Sequence, residues 1–167
     1  AEFDVVLAQL VVDGMSDARR GVAEMRRVGR PGGVLAACVW DFEGGMTLLR
    51  AVWDSALQVD AELARSFGAD ERNPFSRPDE LEELWRTIGL ERVELGQIEA
   101  GADYADFEDL WYPFASGVGN LGRFWEALEK RGRERFKRGA AERLGSPSGP
   151  FRLTAAAWYV RGTVPAG

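Results

Sequence analysis

The chain has 167 residues, of which 46% are hydrophobic and 29% charged, a composition that suits one ordinary globular domain with a sizeable core. Its net charge of −6 argues against nucleic acid as a partner, because phosphate binding requires a concentrated basic surface. The absence of histidine removes the commonest general base and metal ligand, and the single cysteine excludes a disulfide framework within one chain. No apolar run approaches the roughly 20 residues that cross a bilayer. We therefore expect no metal, no membrane association and a cytoplasmic location.

The first forty residues predict a strand, a short helix and a second strand. Residues 3–12 are almost continuously apolar and rich in β-branched side chains, which is typical of a strand buried on both faces of a parallel sheet. Asp17 is a plausible helix cap, and apolar residues then recur at helical spacing until Gly29 ends the helix. Residues 34–40 form the second apolar run. These elements predict a βαβ unit with a right-handed crossover.

The rest of the chain alternates helical and extended patterns. Apolar residues spaced i, i+3, i+4, i+7 mark the helices, although Pro113 must kink or end one of them. The predicted elements after residue 41 are helices around 49–57, from Pro78 to a cap at Gly89, around 107–114 and around 121–128, strands at 92–99 and 151–160, and irregular chain at 65–77 and 145–150.

Two short motifs could suggest ligand sites. Residues 117–122 offer a Gly-x-Gly-x-x-Gly pattern, but it does not follow a strand, so we predict a flexible loop there. Residues 130–138 carry six basic side chains. Because acidic residues are interspersed with them, a solvated helix face is favoured over an anion site, which stays as the alternative.

The order of the first elements resembles a class I S-adenosylmethionine (SAM)-dependent methyltransferase. A strand at residues 3–9, a helix containing Glu24-Met25-Arg26-Arg27-Val28, the turn Arg30-Pro31-Gly32-Gly33 and a second strand are similar to the fourth and fifth strands of that family. The closest similarity is to the small-molecule group that includes the ubiquinone/menaquinone-biosynthesis C-methyltransferases. The resemblance implies an α/β fold, the C-terminal half of a Rossmann-like sheet, with strands in the order Phe3, Val34, Phe151 and Arg92 and the Phe151 strand antiparallel. It further implies that residues 1–167 are a single partial methyltransferase domain in which residues 41–76 and 101–150 are substrate-binding or lid insertions.

The resemblance also implies a cofactor and several site residues. Gln9 and Leu10 correspond to the segment that lines the methionine part of SAM, and Asp13 lies where the substrate binds. The family's glycine-rich loop and its acidic ribose ligand have no counterpart here, so we expect the SAM-binding N-terminal half to be absent from this chain. Trp40 and Asp41 follow a buried strand, where open α/β sheets bind ligands. The further substrate-binding candidates are Trp111, Tyr112 and Phe114.

Core packing is the alternative for Leu10 and for these three aromatic residues. No catalytic residue is predicted, because methyl transfer depends mainly on positioning the small-molecule acceptor and excluding water.

Two functions are compatible with this sequence. The first is SAM-dependent methyl transfer to a small molecule, and the second is a non-catalytic half-domain that works by self-association or partner binding. In either case the Phe3 strand would be a long apolar edge without proline or lysine, which is an aggregation template if left bare. We therefore expect a homodimer, most simply with the two Phe3 strands antiparallel, or a missing N-terminal segment at that edge.

Overall fold

The computed structural model describes residues 1–71 and 74–166. Residues 72 and 73, which belong to the predicted insertion 41–76 and to the predicted irregular stretch 65–77, lie outside the described residues, as does residue 167. The strands are β1 (Phe3–Gln9), β2 (Gly29–Trp40), β3 (Glu91–Tyr104) and β4 (Phe151–Thr163). The helices are α1 (Ala18–Val28), α2 (Thr47–Val59), α3 (Ala61–Ser66), α4 (Pro78–Thr87), α5 (Phe107–Ala115), α6 (Gly119–Ala127) and α7 (Lys130–Arg143), with a 3₁₀ turn at Val12–Gly14.

The four strands form one sheet in the order β1-β2-β4-β3. β1 and β2 are parallel, with Val6 opposite Leu35 and Gln9 opposite Cys38. β4 returns antiparallel to β2, with Val39 opposite Trp158. The predicted strand order, including the insertion of the last strand between the second and the third, is confirmed.

The two faces of β1 differ in burial. Ala8 packs into the same core as Leu35, which is fully buried on β2. The side chains of Phe3, Val5 and Leu7 alternate to the other face and are 54%, 54% and 71% exposed. The expectation that this strand is buried on both faces is therefore wrong for the described chain, because no element covers the second face of this edge strand.

The helices that follow β1 and β2 begin and end at the signals that the sequence carries. Asp17 caps α1, since its Oδ1 accepts a hydrogen bond from the Arg20 backbone N–H at 2.9 Å. Pro78 occupies the first turn of α4, and Gly89, with a φ of 76°, lies just beyond its end. β1 stops at Gln9, earlier than predicted, because Leu10 has a φ of 55°, which no continuous strand permits.

The predicted loop at residues 117–122 is wrong, because α6 begins within it. Gly117 and Gly119 have φ values of 78° and 68°, which glycine adopts without strain, and they turn the chain into the helix. Gly122 then packs against Gly117, where a Cβ would lie 2.3 Å from the backbone carbon. The glycines therefore make a tight helix entry. The structure also adds α3, whose end overlaps the stretch predicted to be irregular.

The chain divides into two compact units. One unit comprises residues 1–45, 73–100 and 155–167, and its core lies between β1, β2 and β4 and the helices α1 and α4. The other comprises residues 46–72 and 101–154, and its core is aromatic, with Trp111, Phe124 and Phe136 fully or almost fully buried. No helix within the described ranges has both the length and the apolar character to span a membrane.

Candidate cofactor and acceptor site

The carboxyl ends of the two parallel strands meet at one edge of the sheet. Gln9 ends β1 opposite Cys38, and Trp40 ends β2 two residues further on. The Leu10 backbone N–H donates to the Cys38 carbonyl oxygen at 2.9 Å and fixes the turn that leaves β1. This edge of an open α/β sheet is where such folds bind ligands. Four of the residues predicted from sequence therefore lie at one place: Gln9, Leu10, Trp40 and Asp41.

The polar groups at this edge differ in access. Gln9 is exposed, so water can satisfy the amide, and its position within an apolar run does not require a protein partner. Because Gln9 pairs with Cys38, its side chain shares a sheet face with Cys38 and Trp40. Asp13 is half-buried in the 3₁₀ turn that follows β1.

Asp41 is the one charged residue among the buried side chains of the described chain, with 7% exposure. Its Oδ1 accepts from the Gly44 backbone N–H at 2.9 Å, and its Oδ2 accepts from Gln97 Nε2 at 3.2 Å. Its own backbone N–H donates to the Ala156 carbonyl oxygen at 2.9 Å. The carboxylate therefore holds the loop 41–45 against β3, and the Asp41 backbone N–H joins the same loop to β4.

Sequence reasoning missed Gln97, whose only signal was a long amide side chain within the strand predicted at 92–99.

The same loop is held at two further points. The Gly45 backbone N–H donates to the Asp41 carbonyl, and the Ala156 backbone N–H donates to the Gly45 carbonyl at 3.1 Å. A Cβ on Gly45 would lie 2.5 Å from the Ala156 Cβ, so only glycine permits this approach. Glu43 pairs with Arg77 Nε at 2.7 Å, and this hydrogen bond is the main reason that the pKa of Arg77 is raised. The loop that follows β2 is therefore held in place by hydrogen bonds and an ion pair at the carboxyl edge of the sheet.

The three aromatic candidates lie in the other compact unit and differ in access. Trp111 is 1% exposed and packs in the aromatic core, with its ring 5.1 Å from Phe136 and 5.2 Å from Phe114. Its indole Nε1 is buried, and no residue of 1–71 or 74–166 accepts a hydrogen bond from it. Phe114 is half-buried, whereas Tyr112 is 72% exposed. Of the three, Tyr112 is therefore the side chain most available to a ligand.

A metal site requires several ligand side chains close together. Across residues 1–71 and 74–166, no three His, Cys, Asp or Glu side chains are grouped so that they could hold a metal ion.

Comparison with known proteins gives a family match at the start of the chain. Residues 1–37 match a family model described as "Methyltransferase domain". These residues contain β1, α1 and most of β2. No curated protein matches the sequence.

Several solved structures are similar to this chain, and some of them are methyltransferases by their descriptions. A candidate methyltransferase from Bacillus halodurans C-125 is 12% identical, with a TM-score of 0.50 over 98% of this chain. YcgJ from Bacillus subtilis is 14% identical, with a TM-score of 0.49 over 99% of this chain. Phosphoethanolamine N-methyltransferase 2 from Haemonchus contortus, solved with S-adenosyl-L-methionine, is 11% identical, with a TM-score of 0.47 over 98% of this chain.

The chain is shorter than each of these relatives. It spans 65% of each of the two Bacillus structures and 33% of the Haemonchus enzyme. At 12% identity, the likeness to the Bacillus halodurans structure establishes the fold. The predicted α/β fold and the resemblance to class I methyltransferases are confirmed by this likeness together with the family match.

Proposed function

We infer that this chain, which has the class I methyltransferase fold, takes part in SAM-dependent methyl transfer to a small-molecule acceptor. The observation that carries the proposal is the match of residues 1–37 to the methyltransferase domain model, since these residues build the parallel β1-α1-β2 unit. Bound SAM supplies an electrophilic methyl group on a sulfonium. A carbon, oxygen or nitrogen of the acceptor would take up that methyl group, and the proton that the acceptor loses would pass to solvent.

Residues at the carboxyl edge of β1 and β2 fit one end of such a cofactor. The exposed Gln9 amide can donate to and accept from the methionine part, and the turn at Leu10 ends the strand beside it. Asp13 and Trp40 would border the acceptor, and Asp41 would fix the loop that bounds it. In this arrangement the protein orients the acceptor and excludes water.

The second compact unit contributes the acceptor-binding insertions in this proposal. Within this unit, Tyr112 presents an exposed ring and hydroxyl group that are available to a ligand. Trp111 and Phe114 contact each other in the aromatic core of the same unit. The insertions correspond to residues 41–76 and 101–150, and the compact unit itself comprises residues 46–72 and 101–154.

The proposal includes a SAM-binding N-terminal half that this chain lacks. It is supported by the length comparison, since the chain spans 65% of the Bacillus halodurans structure. The coding sequence upstream of residue 1 tests this directly. A reading frame that continues upstream into a strand, a glycine-rich turn and a helix is the expected result, and translation that starts at a codon immediately before Ala1 would contradict it.

A binding measurement on the chain itself gives an independent test. Without contacts to the ribose and adenine, the few remaining contacts must overcome an association cost of several kcal/mol. We expect calorimetric titration of SAM into this chain to show no binding tighter than about millimolar. Micromolar binding would mean that the site is complete within these 167 residues.

Activity is tested on the complete gene product. Incubation with methyl-labelled SAM and a panel of small-molecule acceptors should transfer label to at least one of them. Gln9→Ala should raise the KM for SAM, whereas Asn120→Ala, which removes an exposed amide from α6, should leave it unchanged. A complete gene product that neither binds SAM nor transfers label would refute the proposal.

The bare face of β1 favours a second candidate function, self-association of a non-catalytic half-domain. Phe3, Val5 and Leu7 are all more than half exposed on one face of an edge strand, and soluble monomers rarely expose a large apolar patch. A twofold partner could pair the two β1 edges antiparallel. Under the methyltransferase proposal, the missing N-terminal segment occupies this edge.

Size-exclusion chromatography coupled to light scattering distinguishes a second copy of the chain from a missing N-terminal segment at the β1 edge. Self-association predicts a dimer that Leu7→Lys disrupts, whereas Val118→Lys, at another exposed apolar side chain, leaves it intact. A monomer whose β1 amides exchange rapidly would contradict self-association. A complete gene product that is monomeric and protects the same amides would support the missing segment.

A further inference from the structure

Helix α7 is strongly basic, and several of its cationic side chains have fixed partners. Lys137 Nζ contacts the Glu108 carboxylate at 2.5 Å. Arg133 donates to the backbone carbonyl oxygens of Trp125 and Glu126, at 2.9 and 2.8 Å. Two of the six basic side chains of residues 130–138 therefore make contacts within the fold.

Arg135 and Arg138 make longer and weaker contacts within the protein. Arg135 Nη2 lies 3.4 Å from the Gln58 carbonyl oxygen, and among residues 1–71 and 74–166 no carboxylate forms an ion pair with it. Arg138 Nε lies 3.9 Å from Glu142 Oε1, which is too far for a hydrogen bond. Because they are three residues apart on one helix, the two guanidinium groups share a face.

That face borders a cavity of about 290 Å³ between α2 and α7. Its lining includes Ser55, Gln58 and Val59 from α2, and Arg135, Arg138 and Glu142 from α7. The volume is near the lower end of the usual range for ligand sites, which suits a small molecule or a single functional group.

The floor of the cavity is fixed by a close helix contact. Ser55 Oγ donates to the Phe136 carbonyl oxygen at 2.8 Å, and both residues are buried. A Cβ on Gly139 would lie only 2.5 Å from Ser55 Oγ, so glycine allows α7 to approach α2 here. The two arginines are therefore presented from a backbone that is held in place, which reduces the cost of ordering them around a ligand.

We propose that this cavity binds the phosphoryl group of a small phosphomonoester. A guanidinium presents its donors in a planar fork that matches phosphate oxygens, and two forks match the charge of a phosphate dianion. Glu142 is the one acidic residue of the lining, so two positive charges face one negative charge. Gln58, which also lines the cavity, is uncharged and leaves this balance unchanged.

Nuclear magnetic resonance titration of the chain with inorganic phosphate tests the site. We expect saturable shifts of the α2 and α7 amides with a Kd on the order of millimolar, and tighter binding at pH 8 than at pH 5.5, because inorganic phosphate is mainly a dianion at pH 8 and a monoanion at pH 5.5. Arg135→Gln and Arg138→Gln should each weaken binding about tenfold. Arg123→Gln removes the same charge from an exposed position on α6 and should not weaken it.

A fourth variant should change the phosphate affinity in the opposite direction to the arginine variants. Glu142→Gln removes the negative charge beside Arg138, so it should tighten phosphate binding severalfold without adding any contact. Shifts that do not saturate by about 50 mM phosphate would overturn the site, as would equal losses in Arg123→Gln and Arg135→Gln. Circular dichroism of each variant shows whether α7 remains folded, so that a lost site is distinguished from a lost helix.

Discussion

Gln97 on β3 donates a hydrogen bond from Nε2 to the Asp41 carboxylate, 3.2 Å away at the end of β2. The two residues are 56 positions apart in sequence. Because Asp41 is buried, this amide and the Gly44 backbone N–H provide the hydrogen bonds that an ionised carboxylate needs. The pair therefore sets the position of the loop 41–45 at the proposed acceptor site.

Removing the Gln97 amide should destabilise the fold. In Gln97→Leu, Asp41 Oδ2 loses its donor while the carboxylate remains buried, and we expect a loss of about 1–3 kcal/mol in the free energy of unfolding, measured with urea. Gln9→Leu, at an exposed position on β1, is the matched control and should change stability by less than about 0.5 kcal/mol. Equal effects in the two variants would mean that the Asp41 contact contributes little.

Replacing a leucine by alanine should change stability by different amounts on the two faces of the β1-β2 pair. Leu35→Ala removes a fully buried side chain from the core, and we expect a cost of about 2–5 kcal/mol. Leu7→Ala removes a side chain that is 71% exposed, and at micromolar protein concentration its cost should stay below about 1 kcal/mol. A large cost for Leu7→Ala that grows with protein concentration would indicate that a second copy covers this face.

Two glycines of α7 should give opposite results when replaced by alanine. Gly132→Ala places a Cβ 3.3 Å from the end of the Leu128 side chain, which can move, so helix propensity should make the change neutral or stabilising by up to about 1 kcal/mol. Gly139→Ala places a Cβ 2.5 Å from Ser55 Oγ, so it should separate α7 from α2 and destabilise the fold by about 1–3 kcal/mol. Thermal unfolding of the two variants compares them directly, and stabilisation by Gly139→Ala would contradict the close helix contact.

The two most deeply buried tryptophans differ in what their indole N–H groups contact. Trp85 Nε1 donates to the Leu35 carbonyl oxygen at 3.4 Å, whereas Trp111 Nε1 has no acceptor among the residues that the structure describes. Replacement by phenylalanine removes similar volume at each position, but only Trp85→Phe removes a hydrogen bond. We expect Trp85→Phe to cost about 1 kcal/mol more than Trp111→Phe in urea unfolding. The reverse order would indicate that Trp111 Nε1 has a polar partner in solution.

The sequence determined the elements whose signals are local. The cap at Asp17, the first turn at Pro78 and the stop at Gly89 each follow from the chemistry of one or two residues, and all three are confirmed. The strand order was predicted from the family resemblance, because the residues themselves do not specify which strands pair. The glycines at 117–122 do not specify their own conformation, since the same residue type permits both the flexible loop that was predicted and the tight helix entry that is found.

Only the tertiary structure decided which side chains meet across long separations. Nothing near Asp41 in sequence indicates that Gln97 holds it, and nothing near Ser55 indicates that Gly139 packs against it. Burial on β1 was also decided in this way, because an apolar strand has the same sequence pattern whether or not an element covers its second face. Local propensities act through neighbouring residues along the chain, whereas hydrogen bonds, close packing and exposure depend on distances that exist only after the elements have packed together.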